Sequence, residues 1–326
     1  MLFRRLVSIP LFLALTIVLT ALSPLLLVIA LLATPHPRTR GALPTLLFVL
    51  GYLWCETIGI VTAFLIWLYY RQPADFLTAN YRLQCWWANA LKVIAEKLYR
   101  LKFEVTGADA LEGSPAILLP RHASIADTII PMVYYAIPRS VRLRYVLKRE
   151  LLIDPCLDIV GNRLPNYFVD RAGQDSESAR QGVAALLSDL GPNEGVLIYP
   201  EGTRFSEAKH AALGYRYAES AELQKQLARW RLLLPPRLGG TLALLKANPQ
   251  RDLLFCAHSG FEGSSHFSTL INGSWMNARI RIEFWRIPYP EVPTEESAQT
   301  LFLFDQWDRM ERTVAELQQT TGPLRK

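Results

Sequence analysis

The apolar residues of this chain follow two patterns, the first continuous and the second interrupted. Leu6–Ala33 is a run without any charged side chain, and Leu43–Tyr70 is a second run that holds one acid, Glu56. About 20 apolar residues cross the hydrocarbon core of a bilayer, so each run is long enough to span it. From Phe103 onward, short apolar segments instead alternate with amphipathic ones, which is typical of a folded α/β domain.

The connection between the two apolar runs predicts that they pair as a helical hairpin. Thr34–Ala42 is short and rich in turn-forming residues, and short connections join antiparallel neighbours. Pro24 lies inside the first run and is expected to kink or break its helix, so two spanning helices and a hairpin lying in the membrane interface are both open. Basic residues are more numerous outside the hairpin than in its connection, which favours both termini on the cytoplasmic side. A cleaved signal peptide is disfavoured, because its apolar core is only about 7–15 residues long.

Seven short apolar segments after residue 102 are predicted strands. They are Phe103–Thr106, Ala116–Leu119, Arg144–Leu147, Tyr167–Val169, Val196–Tyr199, Leu253–Ala257 and Ala278–Trp285. The amphipathic segments between and after them include Ser176–Leu190, Glu207–Trp230 and Thr294–Gln319. This alternation predicts an α/β fold with a largely parallel sheet flanked by helices. The chain accordingly divides into a membrane hairpin over residues 1–75 and an α/β domain over residues 76–326.

Composition and motif content exclude several classes of protein. Apolar residues make up 51% of the chain and charged residues 20%, which excludes a disordered protein. The four cysteines are far apart and form no CxxC pair, so a disulfide framework and a zinc ribbon are not expected, and no histidine motif with metal-ligand spacing is present. The net charge of +6 is modest and no nucleic-acid motif is present, so no nucleic-acid partner is expected. A P-loop, a GxGxxG fingerprint and a GxSxG elbow are also missing from the sequence.

Candidate chemistry follows the predicted strands, because ligands of parallel sheets bind at the carboxyl ends of the strands. His122 and Asp127 come after the strand Ala116–Leu119. A tight turn would let the carboxylate accept an imidazole N–H and leave the other ring nitrogen as a base. A histidine that is buried or caps a helix is the alternative for this motif taken alone. His258 and His266 are interpreted as ordinary loop or strand-end residues.

Two further groups of polar residues follow other predicted strands. Glu201, Gly202, Thr203 and Arg204 come after Val196–Tyr199. Glycine lets backbone approach a ligand, and arginine offers a bidentate fork for phosphate. A charged turn in which Arg204 pairs with Glu201 is the alternative. The second group consists of the basic residues Lys148 and Arg171, each beside a strand end, and they suggest an anion site or a membrane-surface patch.

These motifs, in this order along the chain, resemble those of the glycerolipid acyltransferase family, and most closely its 1-acylglycerol-3-phosphate acyltransferases. RHASIAD and YPEGTR carry the resemblance, which covers roughly residues 100–260. It implies the α/β fold of that family, a catalytic pair and two binding regions. The implied catalytic residues are His122 and Asp127, the substrate-binding residues are Glu201, Gly202, Thr203, Arg204, Arg171 and Lys148, and the acyl-donor region holds Pro235 and Pro236. The chain departs from the family at Arg121, where asparagine is frequent.

The resemblance implies that the chain moves a fatty acyl group from an acyl thioester to the free hydroxyl of a lysophospholipid. The expected acceptor is 1-acylglycerol-3-phosphate, the product is phosphatidate, and His122 acts as general base. Acyl-CoA or acyl-carrier protein is the expected co-substrate, membrane lipids are partners, and neither a cofactor nor a metal is implied. The expected location is a bacterial inner membrane, with the catalytic domain on its cytoplasmic side. Another lysophospholipid acceptor and a non-catalytic lipid-binding protein are the alternatives.

Overall fold

The chain begins with three long helices. The computed structural model describes residues 2–170, 177–216, 218–262 and 267–319. The three helices are α1 (Leu2–Ala33), α2 (Ala42–Tyr69) and α3 (Pro73–Tyr99). Within the described residues, α1 and α2 are the two helices long and apolar enough to cross a membrane. Helix α1 continues past Pro10 and Pro24, so neither proline ends it.

A seven-stranded sheet forms the centre of the described α/β domain. Its strands are β1 (Lys102–Thr106), β2 (Ile117–Pro120), β3 (Arg142–Lys148), β4 (Tyr167–Val169), β5 (Glu194–Leu197), β6 (Leu253–Ser259) and β7 (Arg279–Ile287). Their order is β1-β7-β6-β2-β5-β3-β4, and every pair is parallel except β6 with β7. The predicted fold class, a largely parallel sheet flanked by helices, is confirmed.

Shorter helices flank this sheet. They are α4 (Ile129–Pro131), α5 (Ile137–Arg139), α6 (Pro155–Gly161), α7 (Glu177–Ala185), α8 (Glu207–Arg216), α9 (Ala221–Arg229) and α10 (Leu238–Lys246), followed by the long α11 (Glu296–Gln319). The amphipathic segment Glu207–Trp230 therefore forms two helices, and the Ser220 hydroxyl caps α9 by accepting the N–H of Leu223. Side chains alternate across β2, so Leu118 packs into one core while Ile117 and Leu119 pack into the other, on the opposite face.

The hairpin lies against the α/β domain along its length. At its start, Arg4 forms an ion pair with the buried Asp158 of α6, with 2.7 Å between Nη2 and Oδ1. Halfway along α2, Glu56 is buried and accepts the indole N–H of Trp87 at 2.6 Å. In the connection between α1 and α2, the N–H of Gly41 donates to the carbonyl oxygen of Ile271 at 2.9 Å. Both ends of α1 are therefore held to the same domain.

The order of the strands brings the candidate residues to one edge of the sheet. Strands β6, β2, β5, β3 and β4 are consecutive parallel neighbours, so their carboxyl ends meet. Pro120, the last residue of β2, pairs with Cys256 of β6. The loops that follow these strands therefore share one surface.

Candidate active site

The loop after β2 turns His122 and Asp127 toward each other. Nδ1 of His122 lies 3.1 Å from Oδ2 of Asp127. The same oxygen accepts the backbone N–H groups of Ala123 at 2.5 Å and Ser124 at 2.7 Å. An acceptor at Nδ1 places the ring hydrogen there, which leaves Nε2 of His122 with a lone pair. A histidine in this state is equipped to remove a proton from a substrate.

The charges around this pair favour an ionised Asp127 and a neutral His122. The Asp127 side chain is 1% exposed, and burial alone would raise its pKa, but the imidazoles of His258 and His122 hold that pKa well below its usual range. Burial lowers the pKa of His122, Asp127 opposes this effect, and the nearby charges of Lys148 and Arg204 lower the pKa further. His122 is therefore in its basic form at neutral pH.

Glu201 lies beneath the pair and holds its backbone. Its Oε1 accepts the N–H of His122 at 2.7 Å, and its Oε2 accepts the N–H of Leu234 at 3.0 Å. Burial raises the pKa of Glu201 to about 8. This carboxyl group therefore connects the loop after β2 to the loop that carries the two prolines.

Gly202, Thr203 and Arg204 form the turn after β5. Gly202 has a φ of 66° and donates its N–H to the carbonyl oxygen of Tyr199 at 2.9 Å. Thr203 accepts a hydrogen bond from Lys209, with 3.1 Å between Oγ1 and Nζ. Next to Arg204, the N–H of Phe205 donates to the carbonyl oxygen of His122 at 2.6 Å. The turn thus sets the half-buried Arg204 beside His122.

The other predicted site residues lie in three places. Lys148 is the last residue of β3 and is close enough for its charge to act on His122. Pro235 and Pro236 follow Leu234, whose carbonyl oxygen accepts the indole N–H of Trp307 at 3.0 Å. Arg171 lies outside the described residues. The roles assigned to all of these residues in substrate binding stay predictions.

His258 was interpreted from the sequence as an ordinary loop or strand-end residue, and the structure places it at this site beside Asp127. It is the next-to-last residue of β6 and is 1% exposed, and its Nε2 lies 3.2 Å from Oδ1 of Asp127. A signal was available, because His258 directly follows the predicted strand Leu253–Ala257, at the same edge of the sheet as the other candidate residues. His266 lies outside the described residues.

Metal ligands do not gather at this site. Among residues 2–170, 177–216, 218–262 and 267–319, no group of three or more His, Cys, Asp or Glu side chains is placed to hold a metal ion. What the described residues bring together is a base, a carboxylate that orients it, and two cations. This arrangement can deprotonate the hydroxyl of a substrate that carries an anionic group.

Comparison with known proteins identifies the class of this domain. Residues 102–232 match the family model described as Acyltransferase. This range contains His122, Asp127 and the turn Glu201–Arg204. Residues 102–232 are therefore similar to acyltransferases, and the prediction that the protein is an acyltransferase enzyme is confirmed.

Two similar proteins show which acyltransferases this chain resembles. The 1-acyl-sn-glycerol-3-phosphate acyltransferase epsilon of Mus musculus is 22% identical over 285 residues, which cover 81% of this chain and 76% of that protein. The crystal structure of the 1-acyl-sn-glycerophosphate acyltransferase PlsC from Thermotoga maritima matches with a TM-score of 0.56 at 13% identity, covering 85% of this chain and 98% of that chain. The fold is therefore PlsC-like, and the predicted resemblance to glycerolipid acyltransferases is confirmed. Together with the two apolar helices, these relatives indicate association with a membrane.

Proposed function

We propose that this enzyme transfers a fatty acyl group from an acyl thioester to the free hydroxyl of 1-acylglycerol-3-phosphate and so forms phosphatidate. The observation that carries this proposal is the 3.1 Å contact between Nδ1 of His122 and Oδ2 of Asp127, with the charges of Lys148 and Arg204 beside it. The names of the two relatives, both of which are acyltransferases for this acceptor, support the choice of substrate.

The reaction proceeds by direct attack of the acceptor on the thioester. Nε2 of His122 takes the proton of the acceptor hydroxyl while the hydroxyl oxygen bonds to the thioester carbonyl carbon. The carbon–sulfur bond then breaks, and the leaving thiolate takes the proton back from the His122 imidazolium. Asp127 stabilises that imidazolium. A positioned general base of this kind contributes about 10²–10⁴-fold in rate.

The cations at the site hold the acceptor in place. Arg204, Lys148 and Arg171 bind the phosphate of the acceptor, which sets its hydroxyl beside Nε2 of His122. Fixing a substrate in this way contributes several kcal/mol, because the reaction no longer has to bring two separate molecules together. Glu201, Gly202 and Thr203 shape the acceptor side of the pocket.

The acyl donor enters on the side of the loop that carries Pro235 and Pro236. That loop is tied to the site through the hydrogen bond from the Leu234 N–H to Glu201. Acyl-CoA or acyl-carrier protein serves as co-substrate, and the proposed reaction draws on no cofactor.

We further propose that the hairpin lies in one leaflet, on the cytoplasmic side of a bacterial inner membrane. A helix the length of α1 extends for about 48 Å. Arg4 near its start is paired with Asp158, and Gly41 just beyond its end is bonded to Ile271, so both ends contact the same domain. A spanning hairpin would carry its connection about 30 Å away, across the hydrocarbon core. Most of the large apolar side chains of α1 are exposed, and these would face lipid.

The function is tested with membranes that contain the full chain, labelled acyl-CoA and a panel of lysophospholipids. We expect the fastest transfer to 1-acylglycerol-3-phosphate, and no transfer by the His122→Ala protein, purified and shown to be folded. Faster transfer to another lysophospholipid would reject the proposed acceptor. Near wild-type turnover by His122→Ala would reject the proposed base.

The location of the hairpin is tested by single-cysteine labelling in sealed vesicles. His36 in the connection and Ser297 on α11 are both exposed, and each is changed to Cys in a chain that lacks reactive native thiols. A membrane-impermeant maleimide should label both positions from the same side. Labelling from opposite sides would reject the one-leaflet arrangement.

A further inference from the structure

His258 occupies the side of Asp127 that faces away from His122. Oδ2 of Asp127 is used by His122 and by the N–H groups of Ala123 and Ser124. Oδ1 has none of these donors and lies 3.2 Å from Nε2 of His258. The two imidazoles therefore contact the two oxygens of one buried carboxylate.

The surroundings of His258 place its ring hydrogen on Nε2. That nitrogen faces two acceptors, Oδ1 of Asp127 and the carbonyl oxygen of Arg121 at 3.3 Å. Nδ1 is buried and has no hydrogen-bond partner among the described residues. The Nε2–H therefore donates to the carbonyl oxygen of Arg121 and lies beside Oδ1 of Asp127, which accepts no hydrogen bond from the described residues.

The backbone of His258 is also held by hydrogen bonds. The guanidinium of the fully buried Arg121 donates from Nη1 to the carbonyl oxygen of His258 at 2.5 Å. The same Nη1 donates to Glu262 at 3.0 Å, and Nη2 donates to the carbonyl oxygen of Leu232 at 3.1 Å. Arg121 and His258 thus bind each other reciprocally, which fixes the end of β6 against the loop that carries His122.

We propose that His258 is a positioning residue for acyl transfer, because the 3.2 Å contact between its Nε2 and Oδ1 of Asp127 keeps Oδ2 aimed at Nδ1 of His122. This inference rests on the proposed role of His122 as general base. Oδ1 accepts no hydrogen bond from the described residues, so the 3.2 Å contact with the imidazole is what steadies it, and without that contact the buried oxygen reorients or draws in water. The bond to His122 is then weakened, although no substrate-binding group has moved.

The test compares His258→Gln with His258→Asn and His258→Leu in the full chain. The glutamine amide reaches about as far as Nε2 of histidine and keeps an N–H at Asp127, while asparagine is too short and leucine has no donor. We expect kcat to fall by about 10- to 100-fold in the Asn and Leu variants, by analogy with the loss of the outer hydrogen-bond partner of a metal-ligating histidine. The Gln variant should stay within about threefold of wild type, and the KM for the acceptor should be unchanged in all three.

The pH profile of kcat/KM separates positioning from a general loss of structure. The groups that face His258 are Asp127 and Arg121, with Glu262 behind Arg121. The bond from Asp127 raises the pKa of His122, so weakening that bond lowers this pKa. The acidic limb of the profile should move to lower pH in the Asn and Leu variants and stay in place in the Gln variant.

A matched control is provided by His210, whose Nε2 lies 2.8 Å from the carbonyl oxygen of Trp230. His210→Leu should leave the pH profile of kcat/KM unchanged. The positioning role would be overturned if the Gln and Asn variants showed equal turnover and equal acidic limbs. It would also be overturned if His258→Leu kept wild-type turnover while His122→Ala was inactive. An active His122→Ala protein would reject the general base itself, and the role of His258 with it.

Discussion

Glu201 holds His122 by its main chain, because Oε1 of Glu201 accepts the N–H of His122 at 2.7 Å. The other oxygen of the same carboxyl group accepts the N–H of Leu234. The buried side chain of Glu201 thus connects the loop that carries His122 to the loop that carries Pro235 and Pro236. The position of the His122 imidazole therefore depends on Glu201, which bonds to the main chain of His122 and not to its ring.

The pH dependence of stability should report the burial of Glu201. Its pKa is raised from 4.5 to about 8, so the unfolded chain releases this proton at a lower pH than the folded chain does. The contribution of Glu201 to stability is therefore present below its unfolded pKa and is lost as the pH rises through about 8. Glu201→Gln does not titrate, so the difference in unfolding free energy between wild type and variant should shrink across that interval. Chemical unfolding at a series of pH values checks this, and a constant difference would contradict it.

Asp127→Asn should lower kcat by about 10²–10⁴-fold, because the amide removes the negative charge that stabilises the His122 imidazolium. The amide nitrogen would also face the N–H of either His122 or His258. Steady-state kinetics on purified enzyme measure the loss. Asp305 on α11 is an exposed carboxylate, and Asp305→Asn should keep wild-type kcat. Comparable losses in both variants would argue against a specific role for Asp127.

The acidic limb of kcat/KM should move to higher pH in Lys148→Met. The charge of Lys148 lowers the pKa of His122, so its removal raises that pKa, and the base becomes protonated at a higher pH. The profile of kcat/KM reports the free enzyme, so bound phosphate does not interfere. Lys225 on α9 is exposed, and Lys225→Met is the matched control with an unchanged limb. A limb that stays in place in Lys148→Met would place this lysine too far from His122 to act on it.

Gly202→Ala should destabilise the protein by about 1–2 kcal/mol, the cost of the left-handed backbone for a residue with a Cβ. Gly202 has a φ of 66°, and a Cβ there would lie 2.8 Å from Cδ of Arg237. Gly214 in α8 has nothing within 4 Å of the same position, so Gly214→Ala should stabilise the chain by about 0.4–1 kcal/mol. Thermal unfolding in detergent measures both changes. Equal effects at the two glycines would show that the turn after β5 can relax.

The strands could be predicted from the sequence because their apolar runs are short and each is bounded by polar turns. Tyr167–Val169 appears with its predicted ends, and the other six strands differ from their predicted ends by a few residues. The segment Glu207–Trp230 was less clear, since its sequence was interpreted as one amphipathic segment and the structure forms two helices there. Periodicity reports which face is apolar, and it does not report where the backbone turns.

The contact between His122 and Asp127 was predictable for a similar reason, since the two residues are five positions apart and one turn suffices to join them. Arg204 was predictable as a strand-end cation. The contact between Asp127 and His258 spans more than a hundred residues, and no local pattern encodes it. It depends on β6 lying beside β2, which becomes visible only in the order of the sheet.

The sequence by itself determined the apolar hairpin, the α/β class and the histidine–carboxylate motif, because each depends on residues close together in the chain. The tertiary structure decided which loops share one edge of the sheet, how Glu201 and His258 contact His122 and Asp127, and that the connection of the hairpin is bonded to Ile271. These are contacts between distant segments, and only packing selects them. The residue types and their spacing can be seen in short stretches of sequence, whereas the distances between their side chains are set by the whole fold.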